Sequence, residues 1–540
     1  MDFLSKLSPQ LLIAIVLSAI NGVMMYFFAG KMLHILQLGG YKIKSINAYL
    51  KETKFKYIAR LIILCFLSAA CMMVANALLD GHGEFWSYIG LIFYFYFSIV
   101  FIINVYQAPQ KTPLKQTHRM NRLSFVVFLL SSALTFGLIA VFTEYVPSVK
   151  FGIIAITPIF TYLIVLVSHY ICVPVEFLSR QIYIGRAKRK LKKMPNLIKI
   201  GITGSYGKTT TKHILNVMLS KKYDVCMSPY SFNTPMGLTK VVNQYLKPNN
   251  DVLICEMGAR QVGDIAYLCK LIQPKHAIIT SVSNQHLSTF GTEKNVYKAK
   301  KELVDAISDG YICFNAQNLG SKQMFDECKK NKILCGINNE DCFANITNIK
   351  TDKNGSTFDL TIDKKTISCQ TKLLGIGNLE DIALASGLAY TLGVKLNEIK
   401  SAITTLKPMP HRLEVLQENG LTIIDNSYNA SVESSTEALN TLKMFDGDKI
   451  VVTPGLVELG EKEFDANVVL GEQISKVASK IIIVNETNKQ ALQNGLKQGG
   501  FNESNIYFTE NLNLAKDKLK EIAKNGDVIL FENDLPDSYI

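Results

Sequence analysis

GITGSYGKTTTKHIL, Gly201 to Leu215, decides how the rest of this 540-residue chain is read. The run that leads into it, LIKIGI (Leu197 to Ile202), is apolar enough for a buried strand, and the residues beyond the glycines are polar and then periodic, as at the start of a helix. A strand, a glycine loop and a helix opening on Lys-Thr-Thr form a phosphate cradle. Glycines let backbone N–H groups approach phosphate oxygens, and the helix N-terminus adds the positive end of its dipole. The full GxxxxGK[ST] pattern is not met, because Ile202 stands where its first glycine belongs. The shorter run Gly204, Ser205, Tyr206, Gly207, Lys208, Thr209 does fit, with Lys208 bridging the outer phosphates and Thr209 offering its hydroxyl to Mg²⁺. A purely structural glycine turn is the competing explanation.

On the N-terminal side of this motif the chain is apolar. Overall it is 48% hydrophobic, with a mean hydropathy of +0.17. Five runs, 11–30, 58–79, 86–106, 123–142 and 151–172, each have about the 20 residues that cross a hydrocarbon core. Buried core helices of a soluble bundle are the alternative. A cleaved signal peptide is not expected, because four further runs come after the first. The loop after the first run carries Lys31, Lys42, Lys44, Lys51, Lys54 and Lys56, and the loop after the third carries Lys111, Lys115, Arg119 and Arg122. GRAKRKLKK (Gly185 to Lys193) comes after the fifth. The positive-inside rule then places the N-terminus outside and everything after Cys172 in the cytoplasm, in a multi-pass protein of the cell membrane. The net charge of +13 is accounted for by these loops, so nucleic acid is not an expected partner, whereas membrane lipid is. The eleven cysteines include no CxxC pair, a reduced intracellular pattern.

From about Asn196 the texture becomes α/β. LIKIGI, DVLICEMG, HAIITSV and GYICFN read as strands of a parallel sheet between helical stretches. FDLTI and TISCQ, between Lys350 and Lys372, read as a small antiparallel hairpin insert. LKPMPHRLEVLQENG reads as a linker, and LTIIDNSYN, KIVVTPG, KIIIVNE and DVILFEN as strands of a second α/β domain. The expected domains are 1–180 in the membrane, 196–408 around the nucleotide, and 409–540.

Glu256 ends one strand and His286 lies just past the next. Strand ends of an open α/β sheet meet at one crevice, so both residues can face the nucleotide. A carboxylate suits Mg²⁺; a lone histidine has no special claim to it. Lys300 and Glu302, in KAKKELV, fall on an expected helix, where a solvated charge is the ordinary reading.

TGSYGKTTTK, SFNTPMG, EMGARQVGDI, HLSTFGTEKNVYKAKKEL, GIGN, HRLEV, IDNSYNA and ELGEKE succeed one another between Ile198 and Glu532. In order and spacing they resemble the Mur ligases of bacterial cell-wall synthesis, in particular the MurF type, which adds D-alanyl-D-alanine to UDP-N-acetylmuramoyl-tripeptide. The resemblance implies a central ATPase domain of P-loop type and a C-terminal Rossmann-like domain. It implies an ATP-dependent amide synthesis in which a substrate carboxylate becomes an acyl phosphate and an amine displaces phosphate. It further implies Lys208 at the β/γ phosphates, Thr209 and Glu256 at one Mg²⁺, and His286 at a second. Lys300 would react with CO₂ to a carbamate beside that metal, and Arg412 would contact the ATP phosphates. Gly204, Ser205, Gly207, Thr210, Asn378 and Asp425 would lie at the nucleotide, and Ser231, Asn233 and Thr234 at the substrate.

Departures from the family pattern are local. Gly377 replaces a histidine and Asp381 an asparagine in the G-x-H-N-x-x-N pattern, Asp425-Asn426 replaces an acidic pair, and FENDLPD replaces a KGS-like segment. The soluble domain that grips the UDP-sugar in this branch is missing, with the apolar runs in its place. The expected protein is therefore a membrane-tethered, cytoplasm-facing ligase acting on a cell-wall precursor peptide and an amino acid or dipeptide. A poly-γ-glutamate-synthase-like membrane ligase is the enzymatic alternative; a transporter or a non-catalytic scaffold is the alternative of another class.

Overall fold

Ser8 and Pro9 start the first helix. The Ser8 hydroxyl accepts the Leu11 N–H at 3.3 Å, and proline at the first helical position lacks only an N–H that would go unpaired there. The computed structural model describes residues 8–53, 55–77, 83–107, 113–141, 154–229, 232–283, 287–428, 431–457 and 459–533. The chain divides into two compact units, Met1–Gln181 and Ile182–Leu535.

In the first unit, helices Pro9–Leu38, Ile43–Glu52, Lys56–Ala77, Gly83–Gln107, His118–Val141 and Thr161–Lys192 succeed one another. Unlike a water-soluble bundle, they are apolar outside as well as inside, where Met25, Phe28, Leu33 and Leu123 form a buried core with a few polar side chains among it. Asn21, Tyr94, Thr135 and Thr157 are buried, while Phe66, Ile92, Phe125 and Tyr170 are exposed. The Asn21 amide donates to the Thr135 and Thr157 hydroxyls, each at 2.9 Å, and accepts from the Tyr94 hydroxyl at 2.8 Å. Three helices are long and apolar enough to cross a membrane: Pro9–Leu38, His118–Val141 and Ile154–Lys192; Leu91–Val105 is a shorter apolar helix. The expectation of five spans is thus met by three among the described residues. The run at 58–79 falls on Lys56–Ala77 and the run at 86–106 on Gly83–Gln107, and the segment between these two helices lies outside the described residues.

The second unit holds two sheets. The larger contains β1 (Ile198–Thr203), β2 (Val225–Met227), β3 (Val252–Glu256), β4 (His276–Ile279), β5 (Ile312–Asn315), β6 (Lys332–Ile337), β7 (Ala344–Asp352), β8 (Gly355–Ile362) and β9 (Lys365–Thr371). Their order is β2-β3-β1-β4-β5-β6-β7-β8-β9. Pairing is parallel up to β7 and antiparallel from β7 through β9. β3, β4 and β5 are buried at every position, which is why they read as unbroken apolar runs rather than alternating ones. The expected hairpin is the outer part of a three-stranded meander whose first strand continues the parallel sheet.

The smaller sheet contains β10 (Glu414–Glu418), β11 (Leu421–Asn426), β12 (Lys449–Thr453), β13 (Lys480–Val484), β14 (Ile506–Thr509) and β15 (Val528–Glu532). Its order is β10-β11-β15-β12-β13-β14, and β10 pairs antiparallel to β11. A third of the stretch read as a linker is therefore strand: β10 is an edge strand with side chains partly buried or exposed, so its apolar signal is weak. The short β2 and β14 were not legible either.

Candidate active site

β1 lies between β3 and β4, so the loops that leave the ends of these three strands open at one edge of the sheet, where the strand order reverses. The glycine loop links β1 to the helix Lys208–Leu219. Gly207 has φ +81°, and a Cβ there would lie 2.6 Å from Asp381 Oδ1. A Cβ on Gly204 would lie 1.9 Å from Thr280 Oγ1. The loop is tied to the segment after β4: Ser205 N–H donates to Ser281 O at 2.9 Å, Tyr206 N–H to Ser281 Oγ at 2.8 Å, and Ser283 N–H to Ser205 Oγ at 3.0 Å. The Lys208 ammonium folds back over the loop and donates to the Gly204 and Ser205 carbonyls at 2.7 and 2.8 Å. Burial pushes its pKa down to about 8 against the pull of Glu256.

Glu256, the last residue of β3, is buried at the centre of the site. Its Oε2 accepts from the Thr209 hydroxyl at 3.0 Å and from the Lys212 ammonium at 3.2 Å, and its Oε1 from the Asn233 amide at 3.1 Å. Burial works to raise this carboxyl, but Lys212, Lys208 and the bond from Asn233 outweigh it and hold Glu256 below the ordinary glutamate value. Lys212, fully buried, did not stand out in the sequence. Its signal was its place four residues after Lys208, on the same face of the helix. The Arg412 guanidinium reaches Thr209 Oγ1 at 3.3 Å and lies 4.6 Å from the centre of the Tyr428 ring.

Lys300, on the helix Glu293–Ala306, is 4% exposed. The ordinary reading of a solvated surface charge is wrong for it. Among the described residues its amine makes no hydrogen bond. Burial first, and the Lys208 charge second, lower its pKa well below the usual lysine value, with Glu256 opposing. Glu302 has a structural task, accepting the Gly263 and Ala266 N–H groups at 2.6 and 2.8 Å.

The other expected residues divide. Asn233 joins the Glu256 cluster, whereas Thr234 caps the helix Pro235–Lys240 by accepting the Gly237 N–H at 3.2 Å. Thr210 is buried in the first turn of the helix after the loop. The Asn378 amide donates to Leu374 O at 2.7 Å. Asp425 accepts from Ser427 at 2.6 Å and pairs with His411 Nδ1 at 2.7 Å, holding the segment that carries Arg412. Ser231 and His286 lie outside the described residues.

Each departure has a hydrogen-bond partner, and two of them, Asn426 and Glu532, pair with each other. Asp381 accepts from the Thr211 hydroxyl at 2.5 Å, and burial raises its pKa well above the usual carboxylate range. Glu437, on the helix Val432–Lys443, accepts the Gly377 N–H at 2.6 Å. Glu532 accepts from the Asn426 amide at 2.9 Å and the Ser435 hydroxyl at 2.5 Å. Burial raises Glu437 and Glu532 to about 7 each.

The hydroxyl–carboxylate pair of Thr209 and Glu256 suits Mg²⁺, and a buried amine at Lys300, without a hydrogen bond among the described residues, suits carbamate formation, which needs the neutral base. Among the described residues no three His, Cys, Asp or Glu side chains cluster as a metal site.

Residues 202–389 match the Mur ligase middle domain, and residues 411–532 match the Mur ligase, glutamate ligase domain. The chain is 30% identical over 279 residues to the UDP-N-acetylmuramoyl-tripeptide--D-alanyl-D-alanine ligase of Escherichia coli, an alignment covering 51% of this chain and 61% of that protein. With the Bacillus subtilis ligase of the same name it shares 26% identity, covering 62% and 72%. Its fold is similar to MurF of Acinetobacter baumannii, with TM-score 0.59 and 23% identity over 66% of this chain and 77% of that one. The Thermotoga maritima MurF ligase, solved in complex with ADP, gives TM-score 0.58 and 24% identity over 66% and 80%. The two matched domains together span more than half of the chain, which belongs to the Mur ligase family. Its relatives of MurF type support placement in that branch.

Proposed function

We propose that this protein is a membrane-anchored ligase of the MurF type. It extends a muramoyl-peptide cell-wall precursor by D-alanyl-D-alanine or another amino acid, with cleavage of ATP, at the cytoplasmic membrane face. The observation that carries this reading is the Thr209–Glu256 pair at 3.0 Å, with the half-buried Lys208 and the buried Lys300 near enough for their charges to act on Glu256 and on each other. The domains are 1–180 in the membrane, 196–408 around ATP and 409–540 over it.

A carboxylate oxygen of the precursor attacks the ATP γ-phosphorus, the bond to ADP breaks, and an acyl phosphate forms. The amine of the incoming amino acid or dipeptide attacks the acyl carbon, and phosphate leaves. A free carboxylate is a poor electrophile, so the phosphoryl group is what makes the second step possible. The loop Gly204 to Gly207 cradles the phosphates with Thr210 behind it. Lys208 releases the loop carbonyls to bridge the β and γ groups, and Arg412 binds the same charge from the C-terminal side. Asn378 and Asp425 border the nucleotide. Thr209 and Glu256 would hold one Mg²⁺, and His286 with a carbamate on Lys300 would hold a second. Bound Mg²⁺ neutralises phosphate charge. A neutral Lys300 amine adds to CO₂ and gives up a proton, replacing a neutral group with an oxygen-bearing anion. Ser231, Asn233 and Thr234 position the substrate, and Asn233 is already held by Glu256.

The test is product analysis by mass spectrometry. The detergent-purified chain, given ATP, Mg²⁺, UDP-muramoyl-tripeptide and D-alanyl-D-alanine or single amino acids, is expected to release ADP and form the extended peptide. ATP turnover without amide product under all these conditions overturns the reading.

A further inference from the structure

Arg119, at the start of the helix His118–Val141, lies over the Tyr41 ring, 3.8 Å from its centre. Its Nε is 3.5 Å from Glu176 Oε2, and among the described residues it donates no hydrogen bond. Glu176 is engaged elsewhere: Arg122 gives its Oε1 two N–H groups, at 2.9 and 2.5 Å. Two guanidinium groups thus share one carboxylate, which leaves one positive charge uncompensated. Arg119, Tyr41 and Glu176 line a shallow surface depression together with Leu123, His169, Cys172 and Val173. Beside it the apolar side chains Tyr170, Ile171, Val173 and Phe177 are exposed.

A guanidinium held flat by an aromatic ring is pre-organised, and its planar fork matches a phosphate. Apolar walls next to it suit hydrocarbon rather than water. We propose that the partly exposed Arg119 guanidinium, at the mouth of this depression, binds the phosphate of an anionic phospholipid, a phosphodiester with one negative charge, with the acyl chains along the exposed side chains of the helix Thr161–Lys192. Inorganic phosphate shares the headgroup chemistry but not the chains. The proposal rests on the membrane reading of the first unit. A full-length chain that stays soluble without detergent fails that reading, whereas a detergent-extracted chain without headgroup preference fails this proposal alone.

The experiment measures binding of phosphatidylglycerol and phosphatidylcholine to the delipidated full chain in detergent by native mass spectrometry. Phosphatidylglycerol is expected to bind at least tenfold more tightly. Arg119→Gln is expected to remove that preference, and Arg60→Gln, the same charge loss at an exposed residue of another helix, to keep it. If Arg119→Gln does not fold, Tyr41→Leu removes the ring that orients the guanidinium and is expected to weaken phosphatidylglycerol binding severalfold. Equal binding of the two lipids, an equal effect of Arg60→Gln, or displacement of phosphatidylglycerol by equimolar inorganic phosphate overturns the proposal.

Discussion

Glu437 accepts the backbone N–H of Gly377 at 2.6 Å, joining the helix Val432–Lys443 to the turn that opens the helix Ile376–Thr391. A Cβ on Gly375 or Gly377 would lie 2.7 or 2.9 Å from the Glu437 carboxylate. Glycine at the position where the family pattern has histidine is what lets this carboxylate reach the backbone. The departure is a packing exchange between two segments sixty residues apart in the chain.

Glu437 and Glu532 should make stability fall with rising pH. Each is raised to about 7 from an ordinary value of 4.5, so the native state holds these protons more tightly than the unfolded chain. Their contribution is complete below the ordinary value and lost as pH rises through about 7. The Glu437→Gln/Glu532→Gln variant, which keeps one acceptor oxygen at each position, is expected to show a smaller drop in melting temperature between pH 6 and pH 8 than the parent. Calorimetry at the two pH values decides; equal drops contradict the assignment.

Gly207→Ala is expected to destabilise the protein by about 1–3 kcal/mol, because φ +81° strains any other residue and the new Cβ meets Asp381. Adding Asp381→Ala should recover part of the loss, by relieving the contact but not the backbone strain. Denaturant titration of the single and double variants gives both values.

Lys208→Ala is expected to lower ligation by at least about 10²-fold, the usual scale for removing one positioned electrostatic contact. The ammonium's bonds to the Gly204 and Ser205 carbonyls are local to the loop, so the melting temperature should change little. Near-parental turnover would remove Lys208 from the phosphate cradle.

Lys300→Ala is expected to abolish ligation, with partial rescue by formate or acetate entering the vacated space. The parent should lose activity when bicarbonate is stripped and show a carbamate carbon resonance when supplied with ¹³C-bicarbonate. A fully active Lys300→Ala variant assigns the lysine to packing alone.

For topology, a reporter fused after Ile540 is expected to read cytoplasmic and one inserted at Gly83 external. A cytoplasmic signal from Gly83 removes the five-span arrangement.

The sequence by itself determined the α/β class of the second unit, the glycine loop and the family. Strands such as β3 and β4 are buried on both faces and so announce themselves as apolar runs, and the loop's chemistry depends on residues adjacent in the chain. It also marked the apolar helices of the first unit, since length and composition are local properties. Only the tertiary structure decided which charges are buried together. Lys212 and Lys300 look like surface lysines until β3 brings Glu256 beside the first and the packed helix Glu293–Ala306 removes the second from water. Glu437 and Glu532 read as ordinary acids until Gly377 and Asn426, far away in sequence, become their partners. Burial and pairing across the chain have no local signature, because desolvation depends on everything that packs around a group and not on its neighbours along the backbone.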